Sequence, residues 1–382
     1  MRHCLAALVC LLISVAPAIG QGKRPADGAP SASAPVAALA SFVAHERVGA
    51  FVLFSRDGKQ FISGGGDNLI QIWDMRTGDE DRTLIGHTSG VTCGALSMDG
   101  KMLVTGSWDR TVRIWDIESG NAKQPLRGHM ASVDAVATAA DRKTIASAGS
   151  DRTFRLWDPE SRETKFISPL QDLPVHRIAI SPDGKLLATG TGMVSEWRRA
   201  GEVKLWNAAT GEEVATLPGH SACVNAVVFS PDGKQLATGT ADGMLRLWDV
   251  AGQEEVSNPR LSYGVRTIAF FADGRTLAIG RWPGRVFLLD AATLNPNLAY
   301  SGHETPDAMV DSIALSPDQS LIASTGTDGR IYLWPVPEST PDGKRMLWKM
   351  APGGARLAAD LVREWESVAP GAAAGPKAGG KK

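Results

Sequence analysis

The sequence predicts an all-β protein, a seven-bladed β-propeller of four-stranded antiparallel blades, and three observations support this fold class. Trp73, Trp115 and Trp157 are spaced by 42 residues each, and self-similarity at a fixed period is typical of repeat architectures. Each repeat contains four short strand-like segments separated by turn residues. The repeats also lack helical periodicity, so their sheets are expected to lie radially rather than in one open sheet.

Each repeat has the same order of elements, which residues 219–249 show most clearly. A Gly-His pair is followed by an apolar strand at 224–229 and by the turn 230–233, whose Pro and Gly suit a tight reversal. A second strand at 236–240 carries small and hydroxyl residues. A turn containing Asp leads to a third strand, which ends on Trp-Asp, and a fourth strand precedes the next repeat.

These Gly-His and Trp-Asp motifs resemble the WD-repeat family of β-propellers, and the likeness covers about residues 36–340. The number of blades follows from the third-strand ends, which fall at Trp73, Trp115, Trp157, Trp206, Trp248, Leu289 and Trp334. Because the first twenty residues read as an export signal, the chain is expected to be an exported, bacterial-type member.

The resemblance implies a buried hydrogen-bonded relay of His, Ser or Thr, Asp and Trp within a blade. The members are His45, Ser63, Asp67 and Trp73; His87, Thr105, Asp109 and Trp115; His129, Ser147, Asp151 and Trp157; His220, Thr238, Asp242 and Trp248; and His303, Ser324, Asp328 and Trp334. A satisfied buried network of this kind rigidifies its surroundings. The Asp, His and Ser do not indicate a hydrolase, because the set recurs five times whereas a catalytic set normally occurs once, in a cleft.

Two repeats depart from this pattern. In blade four, Gln171 replaces the His, the Asp is missing, and Asn207 follows Trp206. In blade six the four positions are occupied by Leu261, Ile279, Pro283 and Leu289, so we expect an apolar interior without the network.

The turns that carry Gly-His and Asp are expected to meet on one face, called the top face here, where known family members mainly bind partners. A seven-residue insertion lengthens the corresponding turn of blade four to residues 192–201 and adds a Trp and two Arg to this face, and Trp and Arg dominate binding hot spots. For each exposed Trp, local packing on its own blade is the alternative, and for Trp282 the two interpretations weigh equally. The predicted partner-binding residues are Trp108, Trp197, Arg198, Arg199, Trp282, Arg266, Asp134, His176, Asn225 and Asp311.

The sequence favours a non-catalytic scaffold that binds a protein or peptide. A net charge of −1 with intermingled signs gives no reason to expect nucleic acid, and no phosphate loop, Cys-x-x-Cys or nucleophile elbow occurs, so no cofactor, metal or catalytic residue is predicted. The alternative is a small-ligand, metal or catalytic site at the central channel mouth, built from His176, Asp134, Asp311 and Arg266. We expect a monomeric propeller.

The ends of the chain differ in composition from the repeats. Residues 1–20 read as a signal peptide, which predicts a periplasmic or extracellular location and no transmembrane segment in the mature chain. Residues 21–35 read as an Ala/Pro/Gly/Ser-rich linker, 341–368 as an extension with a strand-like segment and a short amphipathic helix, and 369–382 as a disordered tail. The helix either lies on the propeller or docks a partner, and the first interpretation is favoured.

Two further expectations concern closure and cysteines. Residues 40–43 are favoured as the strand that completes blade seven, with 344–350 (KRMLWKM) as the competitor. Cys4 and Cys10 belong to the signal. Cys93 is expected to be a small buried residue and Cys223 a partly exposed free thiol, too far apart for a disulfide.

Overall fold

The described part of the chain, residues 38–261, 263–303 and 308–336 of a computed structural model, consists of β-strands with one short 3-10 helix at Val194–Glu196. The strands form seven antiparallel four-stranded sheets, which confirms the predicted seven-bladed propeller. The predicted signal peptide, linker, C-terminal extension and tail lie outside the described residues. None of the helices in the described ranges has the length and apolarity that a membrane span requires.

Each blade runs from an innermost strand outward in chain order, except that the outer strand of blade seven comes from the N-terminal side. Blades one to three are β2 Gly49–Phe54, β3 Gln60–Gly65, β4 Ile70–Asp74 and β5 Glu80–Leu84; β6 Val91–Leu96, β7 Met102–Ser107, β8 Thr111–Asp116 and β9 Leu126–Arg127; β10 Val133–Thr138, β11 Ile145–Gly149, β12 Phe154–Trp157 and β13 Thr164–Ile167.

Blades four to seven repeat this arrangement. They are β14 Val175–Ile180, β15 Leu186–Thr191, β16 Val203–Asn207 and β17 Glu213–Leu217; β18 Val224–Phe229, β19 Gln235–Thr240, β20 Leu245–Asp249 and β21 Glu254–Ser257; β22 Val265–Phe270, β23 Thr276–Arg281, β24 Arg285–Asp290 and β25 Pro296–Ser301; and β26 Val310–Leu315, β27 Leu321–Gly326, β28 Arg330–Pro335 and β1 Ala40–Val43.

The ring is closed by β1, which pairs antiparallel with β28 so that Ala40 lies opposite Leu333 and Val43 opposite Arg330. This strand covers the edge that blade seven would otherwise expose. Phe42 of the same strand packs on Trp73 of blade one at a ring-centroid distance of 6.3 Å. The N-terminal strand therefore completes blade seven, as the sequence favours; the competing segment 344–350 lies outside the described residues.

The turns between first and second strands share a local hydrogen-bond pattern that explains why the chain reverses there. In five blades a Ser hydroxyl donates to the Asp two residues later at 2.6–2.7 Å, in the pairs Ser55–Asp57, Ser97–Asp99, Ser181–Asp183, Ser230–Asp232 and Ser316–Asp318. In blade five the Asp232 carboxylate also accepts the backbone N–H of Lys234, and Gly233 adopts a φ of 72°. Such a positive φ favours glycine.

The core lies between neighbouring blades rather than at one centre. Between blades three and four, for example, Phe154 and Leu156 pack with Val175, Leu187 and Trp206, all of them buried. Alternate residues of each strand supply these contacts, as expected for pleated sheets stacked face to face.

The two cysteines within the described residues are free, and one of them differs from its prediction. Cys93 is partly buried, whereas the Cys223 side chain is only 1% exposed. The prediction of a partly exposed Cys223 thiol is wrong, because Gly192 of the inserted loop lies directly against Cys223 and covers it.

Candidate functional site: the top face and channel mouth

Strand direction places two sets of turns on the same face. Each innermost strand runs away from the loop that enters its blade, and the second strand returns. The turn between second and third strands therefore lies beside the entering loop, while the Ser–Asp turns lie on the opposite face. The top face thus collects, from every blade around the ring, the entering loop and the turn between second and third strands, which carry Gly-His and Asp where these are present.

The relay contacts are present in blades one, two, three and seven. In each, the three distances from His Nδ1 to Asp, from His Nε2 to the hydroxyl oxygen, and from Trp Nε1 to the same oxygen fall between 2.8 and 3.0 Å. With Nδ1–H donating to the carboxylate, Nε2 accepts the hydroxyl proton and the indole N–H donates to the hydroxyl oxygen. Every member of the network is satisfied, so this set is structural.

Hydrogen bonding holds the relay carboxylates ionised. Burial alone would raise the pKa of Asp109 and of Asp151, but the hydrogen bonds that each carboxylate accepts, from His87 or His129 and from neighbouring groups, together outweigh it and hold both pKa values well below their usual range. The backbone N–H groups of Thr88 and Met130 add to this effect. The ionised carboxylate in turn fixes the tautomer of the His ring.

Blade five departs from the predicted relay. His220 Nε2 lies 3.0 Å from Thr238 Oγ1, but His220 Nδ1 faces the Leu217 carbonyl at 3.3 Å instead of Asp242. Asp242 accepts the hydroxyls of Ser221 and Thr240 at 2.9 and 2.5 Å. The predicted His220–Asp242 contact is therefore wrong, because local hydroxyls satisfy the carboxylate. Burial, with the nearby Arg246 charge, lowers the pKa of His220 to about 4.

Blades four and six are filled differently. In blade four the indole of Trp206 still donates to Thr189 Oγ1 at 2.8 Å, but the Gln171 amide turns back to the Pro169 carbonyl. In blade six, Ile279 and Leu289 are buried in one cluster against which Leu261 packs. An apolar interior thus replaces the network there.

A β-bulge occurs at the same point of every innermost strand and brings seven side chains to the channel mouth. The bulged residues are Ala50, Thr92, Asp134, His176, Asn225, Arg266 and Asp311. Bulges re-aim side chains in this way. The predicted channel-mouth residues are therefore neighbours in a ring.

Most of these residues are used to join one blade to the next. Asp134 pairs with His176 at 3.0 Å, and Arg266 pairs with Asp311 at 2.5 Å. Thr92 Oγ1 donates to the Val133 carbonyl at 2.5 Å. Both predicted carboxylates at the mouth are thus already matched by cations or an imidazole of the adjoining blade, and the charge of Asp311 raises the pKa of Arg266.

Asn225 is not an exposed contact residue. Its side chain is 5% exposed and donates to the Val265 carbonyl at 3.0 Å, so its prediction as a partner-binding residue is wrong. Arg177, which the sequence analysis missed, lies beside the ring and donates to the carbonyls of Asn225 and His176. Its buried position lowers its pKa. The one sign of this position in the sequence is that Arg177 directly follows His176, the residue that forms the bulge.

No group of three or more His, Cys, Asp or Glu suited to a metal ion occurs in the described ranges. The Nε2 atom of His176 is buried and has no hydrogen-bond partner there. The arrangement at the mouth therefore supplies two pairs, which join blade three to blade four and blade six to blade seven, rather than a set of converging free ligands.

The three predicted tryptophans of the top face are all exposed, by 39% for Trp108, 43% for Trp197 and 41% for Trp282. Trp108 rests on Gly90, whose missing side chain leaves room for the ring. The Arg198 guanidinium lies 4.6 Å from the Trp197 ring centroid. Each of the three tryptophans is thus partly packed and partly accessible.

The inserted loop is anchored to blade five. The backbone N–H of Cys223 donates to the Trp197 carbonyl at 3.0 Å, and Gly201 N donates to the Ala222 carbonyl at 3.1 Å. Arg199 lies 3.7 Å from Glu196, with both side chains about half exposed. Because the backbone is attached to blade five at Trp197 and at Gly201, the loop holds its Trp and Arg side chains on the top face.

A second aromatic patch lies on blade six and includes a residue that the sequence analysis missed. Tyr263 meets Trp282 edge to face at 5.4 Å and is itself 41% exposed. The Arg281 guanidinium lies 5.4 Å from the Tyr263 ring centroid. The sequence does contain a tyrosine in the loop that enters blade six. This loop lacks the Gly-His pair that marks equivalent positions in other blades, so the place of Tyr263 on the top face could not be read from the spacing.

Comparison with known proteins agrees with this architecture. The sequence model of the family described as the IFT122 first β-propeller matches residues 50–334. The chain belongs to this β-propeller family. The short fungal matches are to mitochondrial division protein 1, 56% identical over 36 residues in Mycosarcoma maydis and 55% over 31 residues in Malassezia globosa. These cover 9% and 8% of this chain, and the chain spans only 4% and 5% of those relatives.

The WD-type propeller is typically a protein-interaction scaffold and is generally non-catalytic. The family therefore favours protein partners for this chain.

Proposed function

We propose that this chain is a protein-interaction scaffold that binds a protein or peptide partner through its top face. The observation that carries the proposal is the exposure of Trp108, Trp197 and Trp282, all on turns of that face and each between 39% and 43% accessible. Large exposed aromatic side chains rimmed by polar residues mark interaction sites.

The arginines give this surface its polarity. Arg198 stacks near Trp197, and Arg281 lies near Tyr263, so both flat guanidinium groups sit beside aromatic rings. Such pairs contribute about 0.5–1 kcal/mol at exposed sites and more once a partner excludes water. Exposed Arg110, Arg152 and Arg260 lie on neighbouring top-face turns. The surface suits a partner that presents carboxylates and apolar side chains together.

The channel mouth supports this assignment by its internal pairing. A ligand or metal there would have to break the Asp134–His176 or Arg266–Asp311 contact before it met a free carboxylate. Removing one member of such a pair leaves a partly buried charge, which is costly. Asp134, His176, Arg266 and Asp311 therefore act in the proposal as supports for the surface rather than as partner contacts.

We also propose that the chain acts outside the cytoplasm, as the N-terminal sequence suggests. Cell fractionation with N-terminal sequencing of the mature chain tests this, and a chain retained whole in the cytoplasm contradicts it.

The binding proposal is tested by capture with a triple variant, Trp108→Ala with Trp197→Ala and Arg199→Ala. We expect the variant to lose the partners that the unchanged protein captures from an extract of its own cells, while its melting curve stays nearly the same. The matched control removes two exposed apolar residues and one cation elsewhere: Met98→Ala, Val256→Ala and Lys234→Ala. Capture that survives in the triple variant, or is lost equally in the control, contradicts the proposal.

A further inference from the structure

A groove on the side of the propeller, separate from the top face, lies between the outer part of blade three and blade four. Its volume is about 730 Å³. Phe166 and Ile167 of β13 form one wall, Glu202, Lys204 and Trp206 of blade four form the other, and the turn at Glu212 closes one end. The groove thus follows the boundary between two blades.

The groove exists where blade four has lost the residues that fill this boundary elsewhere. In blades two and three an Arg two residues before the Trp lies against the Gly of Gly-His: a Cβ on Gly86 would meet Arg113 at 2.9 Å, and one on Gly128 would meet Arg155 at 2.7 Å. In blade four the corresponding residues are Lys204, Leu170 and Gln171. The shorter cation and the missing imidazole leave the space open.

The lining combines negative charge with exposed apolar side chains. Asp172, Glu202, Glu212 and Glu213 contribute carboxylates, and Lys204 is the one cation among the lining residues. The Lys204 ammonium lies 3.6 Å from Glu202 and 3.3 Å from Glu213, so Asp172 and Glu212 keep their charge facing solvent. Leu170 is 61% exposed and Ile167 is 48% exposed at the same place.

The chain contains one segment with the complementary composition. Residues 344–350, KRMLWKM, carry three cations, Lys344, Arg345 and Lys349, between bulky apolar residues. Their charge of +3 equals the excess of carboxylates over the ammonium in the groove. Four large apolar side chains would meet the exposed Leu170 and Ile167.

Distance decides which copy of the chain supplies this segment. The described part ends at Val336 in blade seven, three blades away from the groove in a ring of seven. Strands lie about 4.8 Å apart, so third and fourth strands of opposite blades are separated by at least about 30 Å across the ring. Lys344 follows Val336 by eight residues, which span at most about 29 Å when fully extended, and a path over a face of the ring is longer than the straight line across it. The connection is therefore too short to bring residues 344–350 into the groove of their own propeller.

We propose that residues 344–350 of one copy dock in the blade-four groove of a second copy. The contact is a basic and apolar peptide in an acidic and apolar groove, and it depends on neither the top face nor its partner. Charge pairing aligns the segment, while the apolar residues supply the buried area.

The test is a charge exchange in the full chain, followed by sedimentation velocity over a range of concentrations. The unchanged protein is expected to self-associate reversibly. Asp172→Lys with Glu212→Lys should weaken association by about tenfold or more, as should Lys344→Glu with Arg345→Glu and Lys349→Glu. Combining both sets should restore it, because the charges are then exchanged rather than removed.

The control Glu118→Lys with Glu160→Lys makes the same change in net charge at exposed sites outside the groove and should leave association unchanged. Restoration in the combined variant guards against a folding defect, since a misfolded groove could not be rescued. A protein that is monomeric at all concentrations overturns the proposal, as does association that survives both reversals. Protection of the groove from hydrogen exchange in a monomer would show docking within one copy and would also overturn it.

Discussion

Blades three and six show two ways to build the same blade. In blade three, His129, Ser147, Asp151 and Trp157 are linked by contacts of 2.8 Å each. In blade six these positions hold apolar residues or proline, and Ile279 and Leu289 are each 1% exposed. Both blades carry four paired strands. A blade therefore requires a filled interior, and the relay is one means of filling it.

Blades four and five show intermediate cases. Blade five keeps the four residues but lacks the His–Asp contact, and blade four lacks His and Asp and leaves a groove. Loss of the network is thus tolerated when apolar or local polar contacts replace it. Where replacement is incomplete, surface becomes available for binding.

The largest expected effect on the free energy of unfolding comes from truncating a buried side chain, either in a blade that has the relay or in one that lacks it. Trp157→Ala should lower the free energy of unfolding by about 3–5 kcal/mol, since it opens a large cavity and removes the indole donor to Ser147. Leu289→Ala in blade six should cost about 2–4 kcal/mol, because the cavity is smaller and no hydroxyl loses a partner. Urea denaturation of both variants gives the comparison; an equal or larger loss for Leu289→Ala would contradict the role assigned to the relay.

The next largest expected effect is a pH dependence of the free energy of unfolding, which arises from His220 in blade five. Because the folded-state pKa of His220, about 4, lies below its unfolded value of about 6.5, folding disfavours protonation. The stability that neutral His220 contributes is fully present above about pH 6.5 and falls as pH decreases toward 4. Between pH 7 and pH 5 the loss should be about 2 kcal/mol. Chemical denaturation at a series of pH values measures this dependence. The variant His220→Gln should show a smaller change in the free energy of unfolding between pH 7 and pH 5, and an unchanged dependence would mean that another group is responsible.

A smaller difference in the free energy of unfolding is expected between substitutions of the Asp carboxylates in blades two and five. Asp109→Asn should cost about 1–2 kcal/mol, because Asp109 accepts from His87 at 2.8 Å. Asp242→Asn should cost less, about 0.5–1 kcal/mol, since its partners are two hydroxyls. In acid the depressed pKa of Asp109 means that its contribution is present above about pH 4 and is lost as pH falls further. Equal losses at neutral pH would remove the distinction between these blades.

Contacts within a blade could be predicted from the sequence because they recur with the period of the repeat. Knowing that Trp115 follows Thr105 by ten residues and His87 by 28 is enough to place the three side chains once the strands pair. Closure by residues 40–43 was accessible in the same way, through the register of a missing fourth strand.

Contacts between blades could not be predicted, because they depend on side chains that the period does not relate. The channel-mouth positions were found by spacing, but their pairing as Asp134–His176 and Arg266–Asp311 depends on the bulges and on which residue the next blade presents. The predicted His220–Asp242 contact is wrong for a reason within blade five: the hydroxyls of Ser221 and Thr240 compete for the Asp242 carboxylate. Burial of Cys223 follows from an insertion whose path no local rule specifies.

The relay and the top-face residues outside it are expected to have different roles: the relay builds the blades, and the other residues bind the partner. Hydrogen exchange of the backbone, compared for the free protein and its captured complex, tests this most directly. We expect new protection at residues 108–110, 192–201 and 282–284 on the top face, with the Ser–Asp turns at 55–59, 97–101 and 230–234 unchanged. Protection confined to those turns, with the top face still exchanging freely, would contradict it.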